Sequence, residues 1–183
     1  MGQKVQFPID QLDQFTGFPC VVQSDHAYIH QGKAFTLSGK SGSVAAGATF
    51  IISFQTPSNK YAHLRPSIIS STANLGELRI AEGSTFSSGS AATAYNRNYN
   101  SSKTSGITIK TGVTMTVEGT IKHYFCIGTG GNPSQNSGGG SGEANERVLK
   151  PSTDYTFRFE NIGSSTATVF YYDIFWYEEE SGV

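Results

Sequence analysis

Residues 169–177 read VFYYDIFWY, a run of nine residues with six aromatic side chains. Alternate positions divide it into two faces. The first is apolar or aromatic throughout: Phe170, Tyr172, Ile174 and Trp176. The second is similar but contains one acid: Val169, Tyr171, Asp173, Phe175 and Tyr177. Aromatic and β-branched side chains crowd a helix turn but fit a pleated sheet, so the run predicts a strand.

This aromatic strand is apolar on both faces, so both faces need cover. We predict that it lies in the middle of a sheet. A second sheet of the same domain covers one face. A loop, the N-terminal arm or another subunit covers the other face.

The same period of two recurs between residue 33 and the aromatic run. Further strands are predicted at residues 34–37, 50–55, 64–69, 77–81, 107–109, 113–117, 121–127 and 155–160. Pro66 places its strand at an edge or a bulge, because proline cannot donate to a ladder. No segment of ten or more residues has helical periodicity. Residues 33–183 therefore predict an all-β domain, a two-sheet sandwich of jelly-roll type.

Residues 1–32 show no sustained period and predict an extended N-terminal arm, with strand pieces at residues 20–23 and 26–29. Its apolar side chains need a surface to lie on. That surface belongs either to this domain or to a neighbouring molecule.

Composition narrows the class of protein. A chain of 183 residues suits one domain. A net charge of −1, with 15% charged residues, argues against binding to nucleic acid or to an anionic membrane surface. The chain has no apolar stretch long enough to span a membrane and no secretory signal at its start, which predicts assembly in a cytoplasm. Cys20 and Cys126 lack metal or redox spacing and predict buried free thiols.

Candidate catalytic and metal-binding sets are missing from the sequence. His26 and His30 are four residues apart, a spacing that on a helix could ligate one metal ion; on the predicted strand they would lie about 13 Å apart, too far for one ion. Asp173 interrupts the aromatic run, and we expect it to accept hydrogen bonds from a loop; the alternative is a buried acid used in acid–base chemistry. The glutamates at 178–180 are expected to be solvated. We therefore predict no enzyme activity, no metal and no cofactor.

Residues 95–101 (YNRNYNS) form the most unusual polar stretch. Asparagine bonds to nearby backbone and favours turns. Arg97 offers a planar fork to a carboxylate or to carbonyl groups. The stretch predicts an ordered loop pinned by side chains; the alternative is a contact surface for a symmetry mate or a glycan.

Four motifs from residue 96 onwards occur together. They are residues 96–101 (NRNYNS), the glycine-rich loop at 130–139, residues 147–155 (RVLKPSTDY) and residues 175–178 (FWYE). In this combination they resemble a family of small structural proteins of tailed bacteriophages. The similarity covers about residues 60–178. Tyr99 stands where that family commonly has an arginine, and the glycine-rich loop is longer here.

The resemblance implies a virion component, a jelly-roll decoration or cement protein on the outer capsid surface, assembled in the host cytoplasm. The implied partners are the major capsid protein and other copies of the chain, as a homotrimer. The arm would add a strand to a neighbouring sheet edge. We predict partner contacts at Phe7, Phe15, Phe18, Arg97, Tyr99, Tyr171 and Phe175.

A binding module is the alternative class. A tail-fibre, carbohydrate-binding or receptor-binding domain would present exposed aromatic rings in loops to a host glycan. Most aromatic residues here follow strand patterns instead, which favours the decoration protein.

Overall fold

The structure is a computed structural model that describes residues 24–72, 75–127, 146–163 and 165–180, without the side chains of residues 24, 25 and 66–70. The chain is all-β, as predicted, with one short helix in the described part. The helix is α1 (Ser24–His30), and the strands are β1 (Ala34–Lys40), β2 (Thr49–Gln55), β3 (Lys60–Ser71), β4 (Gly76–Glu82), β5 (Thr85–Ser87), β6 (Ser90–Ala92), β7 (Tyr95–Asn96), β8 (Thr108–Thr111), β9 (Thr114–Val117), β10 (Thr120–Ile127), β11 (Arg147–Leu149), β12 (Asp154–Asn161) and β13 (Phe170–Glu180).

Two antiparallel sheets form the body of the molecule in a sandwich-like arrangement. The five-stranded sheet has the order β11-β3-β13-β1-β7. The six-stranded sheet has the order β10-β4-β12-β2-β8-β6. A separate two-stranded sheet pairs β5 with β9.

The chain folds back on itself in one long antiparallel path. β1 pairs with β13, β2 with β12, β3 with β11 and β4 with β10. Successive pairs alternate between the two large sheets. β13 also pairs with β3, and β12 with β4, which joins the two strand pairs of each sheet. β7 extends the first sheet beyond β1, and β8 and β6 extend the second beyond β2.

The core lies between the two large sheets and is mainly aromatic. Trp176 on β13 is fully buried and meets the ring of Phe54 on β2 edge-on, with centroids 5.4 Å apart. Phe157 and Phe159 on β12 are also fully buried. Burial of each such side chain contributes roughly 1.5–3 kcal/mol, so these four rings hold the sheets together.

The central position of the aromatic run is confirmed, because β13 lies between β3 and β1. Its predicted alternation is also confirmed: Phe170, Tyr172, Ile174 and Trp176 line the core. Pro66 pairs with Ile174, and the register shifts next to this pair, between Asp173 and Ile174. Pro66 therefore lies at a bulge, one of its two predicted positions.

The predicted strand piece at residues 26–29 is wrong, because these residues belong to α1. A helix of seven residues is too short to be stable alone and depends on tertiary packing. Tyr28 and Ile29 supply that packing, against Ala34, Phe175 and Tyr177. Residues 1–23 of the predicted arm, including the piece at 20–23, lie outside the described residues, and the domain boundary at residue 32 stays a prediction.

Two smaller expectations also change. Residues 83–105, where the sequence predicts a long polar connection without strands, contain β5, β6 and β7, which pair with β9, β8 and β1. Cys126 is exposed rather than buried, because it points away from the core on β10 while its neighbour Ile127 points inward. Cys20 lies outside the described residues.

Candidate interaction surface

The outer face of the five-stranded sheet carries most of the unusual side chains. We call this face the α1 surface, because α1 packs on it. It is built from the outward-facing residues of four strands: Tyr61, His63, Arg65, Phe175, Tyr177, Glu179, Thr36, Ser38 and Tyr95. In the ladder, His63 lies opposite Tyr177, and Thr36 lies between Phe175 and Tyr95.

A stack of three rings occupies the centre of the α1 surface. Tyr177 stacks on Tyr28 of α1, with centroids 4.1 Å apart and planes at 12°. It also stacks on His63, with centroids 4.4 Å apart and planes at 11°. Tyr177 is only 5% exposed. The second face of the aromatic strand is therefore covered here by residues of the predicted arm itself.

Glu146 gathers the polar groups around this stack. Its carboxylate accepts hydrogen bonds from Tyr177 Oη at 2.7 Å and Arg65 Nε at 2.7 Å, and lies 2.8 Å from His63 Nδ1. Glu179 Oε2 faces the other ring nitrogen of His63 at 3.3 Å. Glu146 directly precedes β11, so this cluster fixes where the chain enters the sheet.

Burial and hydrogen bonds act in opposite directions on the Glu146 carboxyl. Burial by itself would raise the pKa of Glu146, but the bonds from Tyr177, His63 and Arg65 outweigh it and hold the pKa below its ordinary value. Burial and then the bond to Glu146 raise the pKa of Tyr177 to about 12. The pair is therefore a carboxylate and a neutral phenol at neutral pH.

The polar stretch at residues 95–101 borders the α1 surface: Tyr95 and Asn96 form β7, and residues 97–101 are an ordered loop pinned by side chains, as predicted. Asn96 Nδ2 donates to the carbonyl of Gly32 at 2.9 Å, and Asn98 Nδ2 donates to the carbonyl of His30 at 3.2 Å. Asn96 Oδ1 accepts from the Asn98 amide, and Asn98 Oδ1 from the Asn100 amide. The loop is thus attached to the end of α1.

Two of the predicted contact residues meet at this loop. The Arg97 guanidinium lies over the ring of Phe175, 4.4 Å from its centroid. Phe175 is buried by α1 and Arg97, so it supports the surface rather than offering itself to a partner. Arg97 is itself exposed.

Four tyrosines are exposed to solvent on this side of the molecule, and the least exposed of them is Tyr61 on β3, at 39%. Tyr99 is 93% exposed at the tip of the loop, and Tyr95 is 62% exposed on β7. Tyr171 is 43% exposed, four residues before Phe175 on β13 and therefore about 13 Å from it. Phe7, Phe15 and Phe18 lie outside the described residues, so their partner contacts stay a prediction.

Asp173 accepts hydrogen bonds, but from a strand rather than from a loop. Thr36 Oγ1 donates at 2.5 Å and Ser38 Oγ at 2.6 Å, and both belong to β1. The register places Asp173 directly opposite Ser38. Both hydrogen bonds tie β13 to the neighbouring strand β1.

The prediction that Glu178 is solvated is wrong. The period of two continues past Trp176 and turns Glu178 inward, where it is 3% exposed. Its carboxylate accepts from Ser105 Oγ at 2.6 Å and from the Gly106 amide at 3.0 Å, and pairs with Lys60 at 3.1 Å. A buried charge is tolerated when it is paired and hydrogen-bonded in this way. Glu178 thus fastens the loop before β8 to the end of β13.

Comparison with known proteins finds no matching family model, no matching curated protein and no matching solved structure. Within the described ranges, no helix has the length and apolar character that crossing a membrane requires. The same ranges hold no group of three or more His, Cys, Asp or Glu side chains placed to bind a metal.

Proposed function

We propose that the chain is a virion structural protein of a tailed bacteriophage, a decoration or cement protein with a jelly-roll fold. The strand pairing supports the fold. Strands β1 to β4 pair in reverse order with β13 to β10, and successive pairs alternate between the two large sheets. A jelly roll is a double-sheet fold of eight such strands and is common in viral capsids.

The α1 surface is the proposed contact with the capsid. The observation that carries the proposal is the meeting of two features at one sheet edge: the ordered loop with its exposed Tyr95 and Tyr99, and α1, where residues 1–23 join the domain. Rigid exposed tyrosines supply contact area at low entropy cost. A stable contact buries about 800 Å² on each partner, which residues 1–23 would help to supply.

The proposed partners are the major capsid protein and other copies of the chain in a homotrimer, at the outer capsid surface after assembly in the host cytoplasm. Residues 1–23 would add a strand to a neighbouring sheet edge. Nucleic acid, membranes and cofactors have no part in the proposal, and neither has catalysis.

Sedimentation with capsids tests the proposal. The chain is mixed with heads assembled from the major capsid protein of the same phage, and the bound copies are counted after sedimentation. We expect saturable binding by the wild type. We expect a large loss after deletion of residues 1–23, and a smaller loss in Tyr99→Ser. The deletion stops before α1 so that Tyr177 stays covered.

Tyr124→Ser is the matched control, because Tyr124 is 57% exposed on the outer face of the other large sheet. It should bind like the wild type. A wild type that stays in the supernatant, or a Tyr99→Ser variant that binds as well as Tyr124→Ser, contradicts the proposed surface. Light scattering of the free chain tests the trimer, which has three times the 19.6 kDa of one chain.

A second candidate is a tail-fibre, carbohydrate-binding or receptor-binding module. The exposed rings of Tyr95 and Tyr99 favour it, since apolar faces of sugars stack on aromatic rings. Under this function the partner is a host glycan. A glycan array separates the two: a defined glycan bound by the wild type and lost in Tyr99→Ser supports this candidate, and an array without binding contradicts it.

A further inference from the structure

The helical conformation of residues 24–30 brings two histidines together. His26 and His30 are one turn apart on α1, so their side chains lie on the same face. Their Nε2 atoms are 2.9 Å apart, and their ring centroids are 4.5 Å apart. Both side chains are exposed, while Tyr28 and Ile29 of the same helix pack on the sheet.

The spacing of the two nitrogens matches a particular coordination geometry. Metal–imidazole bonds are about 2.0–2.1 Å long, so two of them at a right angle place their nitrogens about 2.9 Å apart. A tetrahedral angle would require about 3.3 Å. The observed 2.9 Å therefore corresponds to adjacent positions of a square-planar or octahedral ion. Cu²⁺ and Ni²⁺ favour such geometries with nitrogen ligands.

We propose that His26 and His30 form a two-histidine site for a divalent transition metal, with Ni²⁺ and Cu²⁺ preferred over Zn²⁺. On binding, the proton of the hydrogen bond between the two Nε2 atoms moves to solvent or to Nδ1 of its own ring, and water fills the remaining positions of the ion. Zn²⁺ requires the rings to open by about 0.4 Å toward tetrahedral geometry. The ligand atoms are the two Nε2 nitrogens, because these are the atoms that converge.

A bound ion would hold the two ends of α1 together. α1 covers Tyr177 through Tyr28, and Asn98 of the ordered loop bonds to the carbonyl of His30. The ion therefore stabilises the helix on the sheet and fixes the point where residues 1–23 join the domain. This site stands independently of the proposed virion function, because it depends on α1 alone.

Calorimetric titration of the untagged, metal-free chain with NiCl₂ tests the site. The matched control exchanges the residues at 30 and 31, as the double substitution His30→Gln and Gln31→His. It keeps the composition and both histidines but moves one of them about 100° around the helix axis. His26→Gln is a second variant, with a single histidine left on α1. His123→Gln removes a distant histidine on β10.

We expect the wild type and His123→Gln to bind one Ni²⁺ with equal affinity. The exchanged variant and His26→Gln should bind at least about tenfold more weakly, since one donor of a linked pair is lost. Ni²⁺ should also raise the unfolding midpoint of the wild type but not of the exchanged variant. Equal affinity of wild type and exchanged variant, or no binding at millimolar Ni²⁺, overturns the proposal and leaves a simple hydrogen bond between the rings.

Discussion

The outer faces of the two large sheets are built from different kinds of side-chain contact. On the five-stranded sheet, the α1 surface buries a ring stack beneath a helix and gathers its donors on one carboxylate, Glu146. On the six-stranded sheet, four charged residues of β4 and β12 form a charged ladder with Glu118, which lies between β9 and β10; the four are Arg79, Arg158, Glu77 and Glu160.

The charged ladder is partly exposed to water, and its arginines and glutamates form ion pairs with one another. Arg79 and Arg158 lie directly opposite each other in the sheet, which would be unfavourable for the two charges alone. Glu160 resolves this by lying 3.0 Å from Arg158 and 3.4 Å from Arg79. A hydrogen bond with Glu77, followed by the nearby negative charges, raises the pKa of Arg79.

The difference indicates where each sheet depends on other parts of the molecule. Partly exposed ion pairs contribute little each, because water already solvates the charges. A buried ring stack contributes more but is stable only while α1 covers it. The α1 surface is therefore the face whose integrity depends on α1, whereas the ion pairs of the charged ladder involve no residue of α1. Four predictions test this contrast, in order of decreasing effect.

The largest expected difference is in the free energy of unfolding lost when a tyrosine on each outer face is replaced by alanine. Tyr177→Ala removes the centre of the stack and should lower the free energy of unfolding by about 3–4 kcal/mol. Tyr124 is exposed, with the Arg79 guanidinium 5.6 Å from its ring centroid, so Tyr124→Ala should cost less than about 1 kcal/mol. Urea unfolding of both variants measures the difference. Similar losses would remove the contrast between the faces.

The carboxylates that organise each face give the next largest difference. Glu146→Gln keeps the shape but removes the charge that Arg65 and Tyr177 bond to, and should cost about 1–3 kcal/mol. Glu118→Gln, in the charged ladder, should cost less than about 1 kcal/mol. The same urea titration compares them. A loss at Glu118 as large as that at Glu146 would contradict the assignment.

Acid should weaken the α1 surface through Glu146. Because the folded state holds the pKa of Glu146 below its ordinary value of 4.5, the carboxylate contributes stability above that pH. This contribution is lost as pH falls through the lower, folded value. The stability difference between wild type and Glu146→Gln should thus be constant near neutral pH and vanish in acid. A difference that persists at the lowest pH would contradict this.

The smallest effect concerns an ion pair away from both outer faces, between the end of β4 and the residue after β11. Lys150 Nζ donates to Glu82 Oε1 at 2.6 Å, and this bond lowers the pKa of Glu82. Lys150 is largely exposed, so a double-mutant cycle with Lys150→Met and Glu82→Gln should give a coupling of about 0.2–1 kcal/mol. The coupling should shrink in high salt, since screening acts on exposed charges. A coupling unchanged by salt would indicate a buried pair.

Prediction from sequence was strongest where burial alternates along a strand. In β13, β12 and β10 the apolar positions repeat every second residue, and that pattern depends only on which face meets the core. The ordered loop at residues 97–101 can be predicted from the sequence for a similar reason, because asparagine side chains bond to backbone within a few residues.

The α1 surface could be foreseen only in part. Arg97 and Phe175 were both identified as contact residues, but nothing in the local sequence pairs them. The sequence around Glu146 does not indicate its role on the α1 surface, because its partners His63 and Tyr177 are 83 and 31 residues away along the chain. Prediction of the short elements β5–β7 and α1 fails for the same reason. They are stabilised by contacts with distant strands rather than by a pattern in their own sequence.

Local chemistry alone determined that this chain is all-β, that residues 169–177 lie in the middle of a sheet, and that their two faces both need cover. The tertiary structure decided what covers the outer face, supplied Lys60, Ser105 and Gly106 as partners for the inward-facing Glu178, and made residues 24–30 a helix. Backbone pleating sets which side chains share a face, and it can be read along the chain. The identity of the neighbour on that face depends on how distant segments are brought together, which no local pattern encodes.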